Sequence, residues 1–160
     1  MIKKFLCNSI DIDLSSSLDG GQSFRWHKFE NGFHGVINNK PYFIFQKNKK
    51  IFVESEEINN SDMDIIVSYL SLDFDLKKLS KKFINNSYLN NLFQKYYGLR
   101  ILNQDPWETI VSFITSSVSN ISKIKKNIND LCLINGEKIG KNKYDYSFPS
   151  PIKIIDFGEN

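Results

Sequence analysis

Two stretches combine residue types that could do chemistry. The first is Leu18-Asp19-Gly20-Gly21-Gln22-Ser23-Phe24-Arg25-Trp26. Read as plain structure, the same stretch is a glycine turn entering a strand, with Phe24 and Trp26 in the core. The second runs from Gly98 through Gln104-Asp105-Pro106 to Ser116-Ser117-Val118-Ser119-Asn120-Ile121. Read as plain structure, it is a capped helical hairpin. Its polar turn feeds a helix N-terminus followed by Lys123, Lys125 and Lys126. Free amides and ammonium groups there could hold a phosphate. A solvated helix face explains the same lysines, and both readings stand.

Elsewhere the usual site patterns are missing. There is no phosphate-binding glycine loop, no metal-ligand cluster and no Gly-x-Ser-x-Gly. Asp11/Asp13 and Glu56/Glu57 read as solvated turn residues rather than acid–base pairs. His27 and His34 read as surface or satisfied strand residues, and with Cys7 and Cys132 they are too few for a zinc site. Cys132 follows Leu131 on an apolar helical face and reads as a small core residue. Lys77, Lys78, Lys81 and Lys82 repeat at helical spacing, as on a wet helix face.

The elements that must carry these stretches change type near Glu54. Before it, apolar residues alternate: Ile10, Ile12 and Leu14 on one extended face, then Ser23–Phe29, Phe33–Ile37, Tyr42–Gln46 and Lys50–Val53. Asn31-Gly32, Asn38-Asn39-Lys40-Pro41 and Lys47-Asn48-Lys49 separate them, as in an antiparallel meander. After it the period becomes helical. Ser61 with Asp64 reads as a capping box ahead of Ile65, Ile66, Tyr69 and Leu70. Leu76, Leu79 and Phe83 make a second stripe. Leu89, Leu92, Phe93 and Tyr96 make a third, closed by Gly98. Asp105-Pro106-Trp107-Glu108 is a helix start, with Asp105 as cap, Pro106 in first position and Glu108 reaching back. Trp107, Ile110, Val111 and Ile114 then lead to the polar turn. Ile121, Ile124, Ile128 and Leu131 follow, and Ser150-Pro151 opens a last helix. Strands first and helices after predict an α+β fold.

The 160 residues carry a formal charge of +3, with 41% hydrophobic residues. That composition excludes a fully disordered chain. No apolar run approaches the ~18 residues of a membrane helix, and the first residues lack a signal-peptide core, so a cytosolic address is expected. The chain has 19 Lys, 18 Asn, 21 Ile and no Ala. That skew resembles AT-rich coding, so the lysines alone say little about partners.

Taken together and in order, these stretches resemble the N-terminal half of 8-oxoguanine DNA glycosylases with abasic-site lyase activity. The family's Gly-Gln-Ser-Phe-Arg-Trp stands here as Gly21–Trp26, and its Arg-x-Leu-x-Gln-Asp-Pro as Arg100–Pro106. Its Ser-Phe-Ile-x-Ser-Ser stands as Ser112–Ser117, and its Phe-Pro-(Ser/Thr) as Phe148–Ser150. The resemblance implies a twisted antiparallel sheet domain over residues 1–97. The opening helices of a helix-hairpin-helix glycosylase domain would follow over 98–160.

The resemblance also assigns roles. In the family, the carbonyl of the glycine at Gly21 accepts the N7–H that oxidation at C8 creates on guanine. Unmodified guanine would set two acceptors face to face. The turn between the helices fills the gap left by the extruded base, which implies DNA contacts for Ser119, Asn120 and Lys123. Only Asn120 keeps the family residue, and Asn120 reads equally as a helix cap. Val118 and Ser119 differ, and Lys123 replaces an arginine, so no planar fork is available to a base. The family's attacking lysine, its charge-stabilising aspartate and its phosphate-binding Gly-x-Gly follow further on. None matches a position here, so no catalytic residue is assigned to this chain and it alone is expected to be inactive. The family needs no metal or organic cofactor. The implied partner is duplex DNA containing oxidised guanine, met by a monomer away from membranes. Implied compartments are cytoplasmic with the nucleoid in a bacterium, or nuclear or mitochondrial in a eukaryote. A noncatalytic double-stranded DNA-binding module and a gene remnant are the alternatives.

Overall fold

A computed structural model describes residues 1–158. Five antiparallel strands form one sheet in the order β1-β5-β4-β3-β2. They are β1 (Ile2–Asn8), β2 (His27–Phe29), β3 (Gly32–Ile37), β4 (Lys40–Lys47) and β5 (Lys50–Ser55). Helix α1 (Leu14–Leu18) lies between β1 and β2. After the sheet come α2 (Asn60–Tyr69), α3 (Leu76–Ser80), α4 (Ser87–Lys95), α5 (Pro106–Ser116), α6 (Ile121–Asn135) and α7 (Pro151–Gly158). The α+β architecture is the expected one. No helix among the described residues is long and apolar enough to cross a membrane.

One face of the sheet builds the main core. Tyr42, Ile44, Ile51 and Val53 alternate inward from β4 and β5, and meet Trp26, Leu18, Ile66 and Leu70. Each fully buried aliphatic side chain contributes about 2 kcal/mol of transfer free energy. A second cluster, Phe24 with Ile124, Ile128 and Cys132, packs α6 beside the sheet.

Three expectations about local structure are corrected. Ile10–Leu14 is not a strand: Ile10 is exposed, and the chain turns into α1, which Asp13 caps. The first strand is β1, upstream of it. A register shift between Phe5 and Cys7 breaks its alternation, and its two lysines suit a sheet edge. Ser23–Trp26 is not strand either, because Ser23, Phe24, Arg25 and Trp26 are all buried and none alternates outward. The capping box of α2 is Asn59 with Asp62, two residues before the expected Ser61 and Asp64. Asp62 also accepts from Lys40 at 2.8 Å and from the Tyr42 hydroxyl at 3.1 Å, so the box is tied to the sheet.

Gly35 faces the Trp26 indole so closely that a Cβ there would overlap the ring. Gly35→Ala should therefore cost about 2 kcal/mol by overpacking. Urea unfolding checks this, and an unchanged midpoint would contradict the packing described.

Candidate nucleic-acid interface

The glycine turn is held from several sides. Gly21 has φ +87°, a left-handed conformation that favours glycine. Its neighbour Gln22 docks the extended segment that precedes α5. Gln22 Nε2 donates to the Arg100 carbonyl at 2.8 Å, and Gln22 Oε1 accepts from Leu102 N at 3.1 Å. Gln104 Nε2 returns a bond to the Gln22 carbonyl at 2.7 Å. One carboxamide thus acts as an extra backbone rung. Arg100 is buried beneath the same segment and donates to the carbonyls of Asp11, Ser71 and Phe74, each at 2.7 Å.

The rest of the Gly21–Trp26 stretch is structural. The Trp26 indole N–H donates to the Tyr69 hydroxyl at 3.0 Å, and that hydroxyl donates on to Ser23 at 3.5 Å. Burial pushes the Tyr69 hydroxyl up to about 12, which keeps it neutral. Arg25 Nη1 lies 3.2 Å from Glu108 Oε2 on α5, with both side chains largely buried. Glu108 therefore does not reach back to its own cap, contrary to expectation; Asp105 caps α5 by accepting from Glu108 N. Burial raises the Glu108 carboxyl, and the Arg25 charge opposes that shift.

A strap, Tyr144-Asp145-Tyr146, closes over the same edge of the sheet. Arg25 Nη2 donates to the Tyr146 carbonyl. His34 Nε2 lies 2.6 Å from Asp145 Oδ1, and the His27 ring stacks on Tyr144 at 3.5 Å between centroids. The two histidines are cross-strand partners, so one register pair grips two successive strap residues. Burial, and next the Lys125 charge, lower His27 to about 4. Neither histidine is a free surface residue, and this use of them was missed because the strap lies over 100 residues away in sequence.

The structure brings the two candidate regions together. A Cβ placed on Gly21 would stand 3.6 Å from Ile121 Cδ1, the first residue of α6. Lys125 fixes this approach, with Nζ 2.5 Å from Asp19 Oδ1 and 3.1 Å from the Trp26 carbonyl. Lys126 pairs with Asp130 along the helix. Of the three lysines expected near the turn, only Lys123 is left with an ammonium free of any partner among the described residues. Asn120 is the helix cap, accepting from Lys123 N at 2.9 Å, while its amide nitrogen stays available. Val118 has φ +55° and is fully exposed at the tip, and half-buried Ser119 follows it. The Gly21 carbonyl accepts no hydrogen bond among the described residues, and Gly21 is partly exposed. Cys132 is a core thiol that burial raises to about 11, so it is no nucleophile at neutral pH.

The sheet and its helices superpose on solved 8-oxoguanine glycosylase structures. MBOgg1 bound to a low-affinity DNA ligand superposes with a TM-score of 0.84 at 28% identity, over 96% of this chain and 53% of that one. The Clostridium acetobutylicum 8-oxoguanine glycosylase/lyase in its apo-form gives 0.81 at 29% identity, over 93% and 54%. The same enzyme with duplex DNA bearing cytosine opposite 8-oxoguanine gives 0.81 at 30% identity, over 93% and 53%. The Saccharomyces cerevisiae N-glycosylase/DNA lyase is 33% identical over 146 residues, an alignment taking in 81% of this chain and 38% of that protein. The model of the 8-oxoguanine DNA glycosylase N-terminal domain matches residues 4–110. The chain belongs to the 8-oxoguanine DNA glycosylase family. It spans about half the length, or less, of the relatives it matches.

Arg25→Met should cost about 3 kcal/mol, because it strands the buried Glu108 carboxylate. Adding Glu108→Leu should recover at least half of that loss in the same urea titration; no recovery would deny the pairing. The His27 shift gives a pH prediction. With the folded value near 4 and the ordinary value at 6.5, protons bind preferentially to the unfolded chain. Stability is then complete above pH 6.5 and is lost as pH falls towards 4. His27→Phe, which keeps a ring on Tyr144, should flatten the melting temperature between pH 7 and 4.5; an unaltered slope would contradict the assignment.

Proposed function

We propose that this chain supplies the lesion-reading and duplex-contacting half of an 8-oxoguanine DNA glycosylase/lyase. The observation that carries the reading is the open carbonyl of Gly21, held in a left-handed turn by Gln22 and set beside the start of α6. A flipped 8-oxoguanine offers an N7–H to that carbonyl. Guanine offers a lone pair, and two buried acceptors left facing each other cost about 1–3 kcal/mol. That is roughly 5- to 150-fold in discrimination from one contact.

Ser119, the Asn120 amide and Lys123 contact the duplex where the base has left. Lys123 is a point charge, so it holds a phosphate rather than reading the opposite base through a fork. The parent reaction breaks the N-glycosidic bond by attack of a lysine amine at C1′ and then nicks the strand by β-elimination. Its lysine and aspartate match no position among residues 1–160, so the roles assigned within these residues are binding roles. Residues 1–97 form the lesion-reading unit and residues 98–160 open the helical unit. The work takes place wherever duplex DNA is held, in the bacterial cytoplasm or in a eukaryotic nucleus or mitochondrion.

Borohydride trapping on an 8-oxoguanine:cytosine duplex tests the division of labour. The chain alone should give no covalent adduct, and an adduct would place a nucleophile within it. In salt titrations of duplex affinity, Lys123→Ala should reduce the slope of log affinity against log salt by about 1. A slope equal to that of the parent chain would remove Lys123 from the interface.

A further inference from the structure

The sheet face turned away from the main core carries a row of phenylalanines. Tyr42, Ile44, Ile51 and Val53 point inward, so Phe43, Phe45 and Phe52 between them point outward. In register, Phe52 stands between Phe45 on β4 and Phe5 on β1. Phe29 on β2 meets Phe43 edge-on at 6.3 Å between centroids. Phe43 stacks on Phe45 at 5.4 Å, Phe45 stacks on Phe52 at 5.8 Å, and Phe52 meets Phe5 edge-on at 6.1 Å. The five rings thus form one chain of contacts from β2 to β1, about 19 Å at ~4.8 Å per strand. Phe5 and Phe29 at its ends are 50% and 41% exposed.

Charges are sorted along this row. On one side Lys47 and Lys50 stand opposite each other at the end of the β4–β5 hairpin. On the other lies Glu54, the single carboxylate among the outward strand positions, opposite Lys3. Two ammonium groups rest on the rings themselves. Lys50 Nζ is 5.7 Å from the Phe5 centre, and Lys3 Nζ is 5.5 Å from the Phe52 centre. None of Lys3, Lys47 and Lys50 pairs with a carboxylate among the described residues.

An occupant must match both the rings and the ammonium groups on them. An apolar protein surface would bury those ammonium groups without partners, which is costly. A membrane takes up side chains that reach below its headgroups, whereas Phe45 is only 9% exposed and Phe43 and Phe52 are half-buried. Duplex bases have their faces taken up in the stack. An unpaired strand offers flat bases to the phenylalanines and phosphates to the lysines.

We propose that the outward face of the sheet, from Phe5 to Phe29, is a binding site for single-stranded nucleic acid. Its bases stack on the ring row and its backbone follows the Lys47–Lys50 side, away from Glu54. The site shares no residue with the Gly21 turn or with the turn between α5 and α6.

The test uses the whole chain and a short fluorescein-labelled oligothymidylate, followed by anisotropy. Saturable binding is expected. Phe5→Leu should weaken it about tenfold, the scale of one lost base stack, while Phe5→Tyr should keep it. Lys47→Glu/Lys50→Glu should reduce the slope of log affinity against log salt by about 1.4, at ~0.7 per phosphate contact on a single strand. Lys123→Ala should leave oligothymidylate binding unchanged. These positions are exposed, and circular dichroism of each variant confirms an intact fold. No binding, equal losses in Phe5→Leu and Phe5→Tyr, or equal affinity for an abasic strand of the same length would each overturn the proposal. So would loss of anionic-vesicle binding in the phenylalanine and lysine variants with oligothymidylate binding unaffected, which would assign the face to a membrane.

Discussion

The fold turns on how one carboxamide is used. Gln22 satisfies the backbone of Arg100 and Leu102 as a neighbouring strand would, and its own carbonyl is satisfied by Gln104. Buried backbone groups must find partners, and the segment between α4 and α5 has no strand beside it to supply them. Gln22 supplies them from the glycine turn, so the turn and the entry to α5 are fixed by the same bonds. The left-handed geometry of Gly21 is thereby set from outside the turn.

The neighbouring residues extend that logic. Phe24 enters the cluster under α6, Trp26 enters the core under the sheet, and Arg25 lies between them paired with Glu108. Six consecutive residues thus join two cores and a buried ion pair. Ser23 to Trp26 are buried, while Gly21 and Gln22 are half-buried. Lys125 completes the joint from α6, and of the lysines near the turn Lys123 alone keeps an ammonium without a partner among the described residues.

The sequence made the meander, the helical hairpin and the Asp105 cap readable because each is a local pattern. Three elements were hidden by tertiary effects. The alternation of β1 is interrupted by its register shift. Ser23–Trp26 looked like a strand because it is apolar and aromatic, yet its side chains diverge into separate environments. The sequence favours Ser61 as a cap because it stands nearer the apolar stripe, whereas Asn59 caps α2 and Asp62 has further partners on β4. In the candidate site, Gly21 and the Asn120 turn were legible only through the family resemblance. No spacing rule brings Ile121 to Gly21 or sets Lys125 apart from Lys123. That division depends on Asp19 being within reach, and contacts a hundred residues apart leave no periodicity.

The most direct test follows the Gly21 carbonyl itself. With ¹³C placed on that carbonyl, the chain is titrated by NMR with an 8-oxoguanine:cytosine duplex and with the matching guanine:cytosine duplex. A shift of the Gly21 resonance with the lesion duplex alone is the predicted result, since only the lesion brings a donor to that oxygen. The same response to both duplexes, or to neither, would contradict the assignment of lesion reading to Gly21.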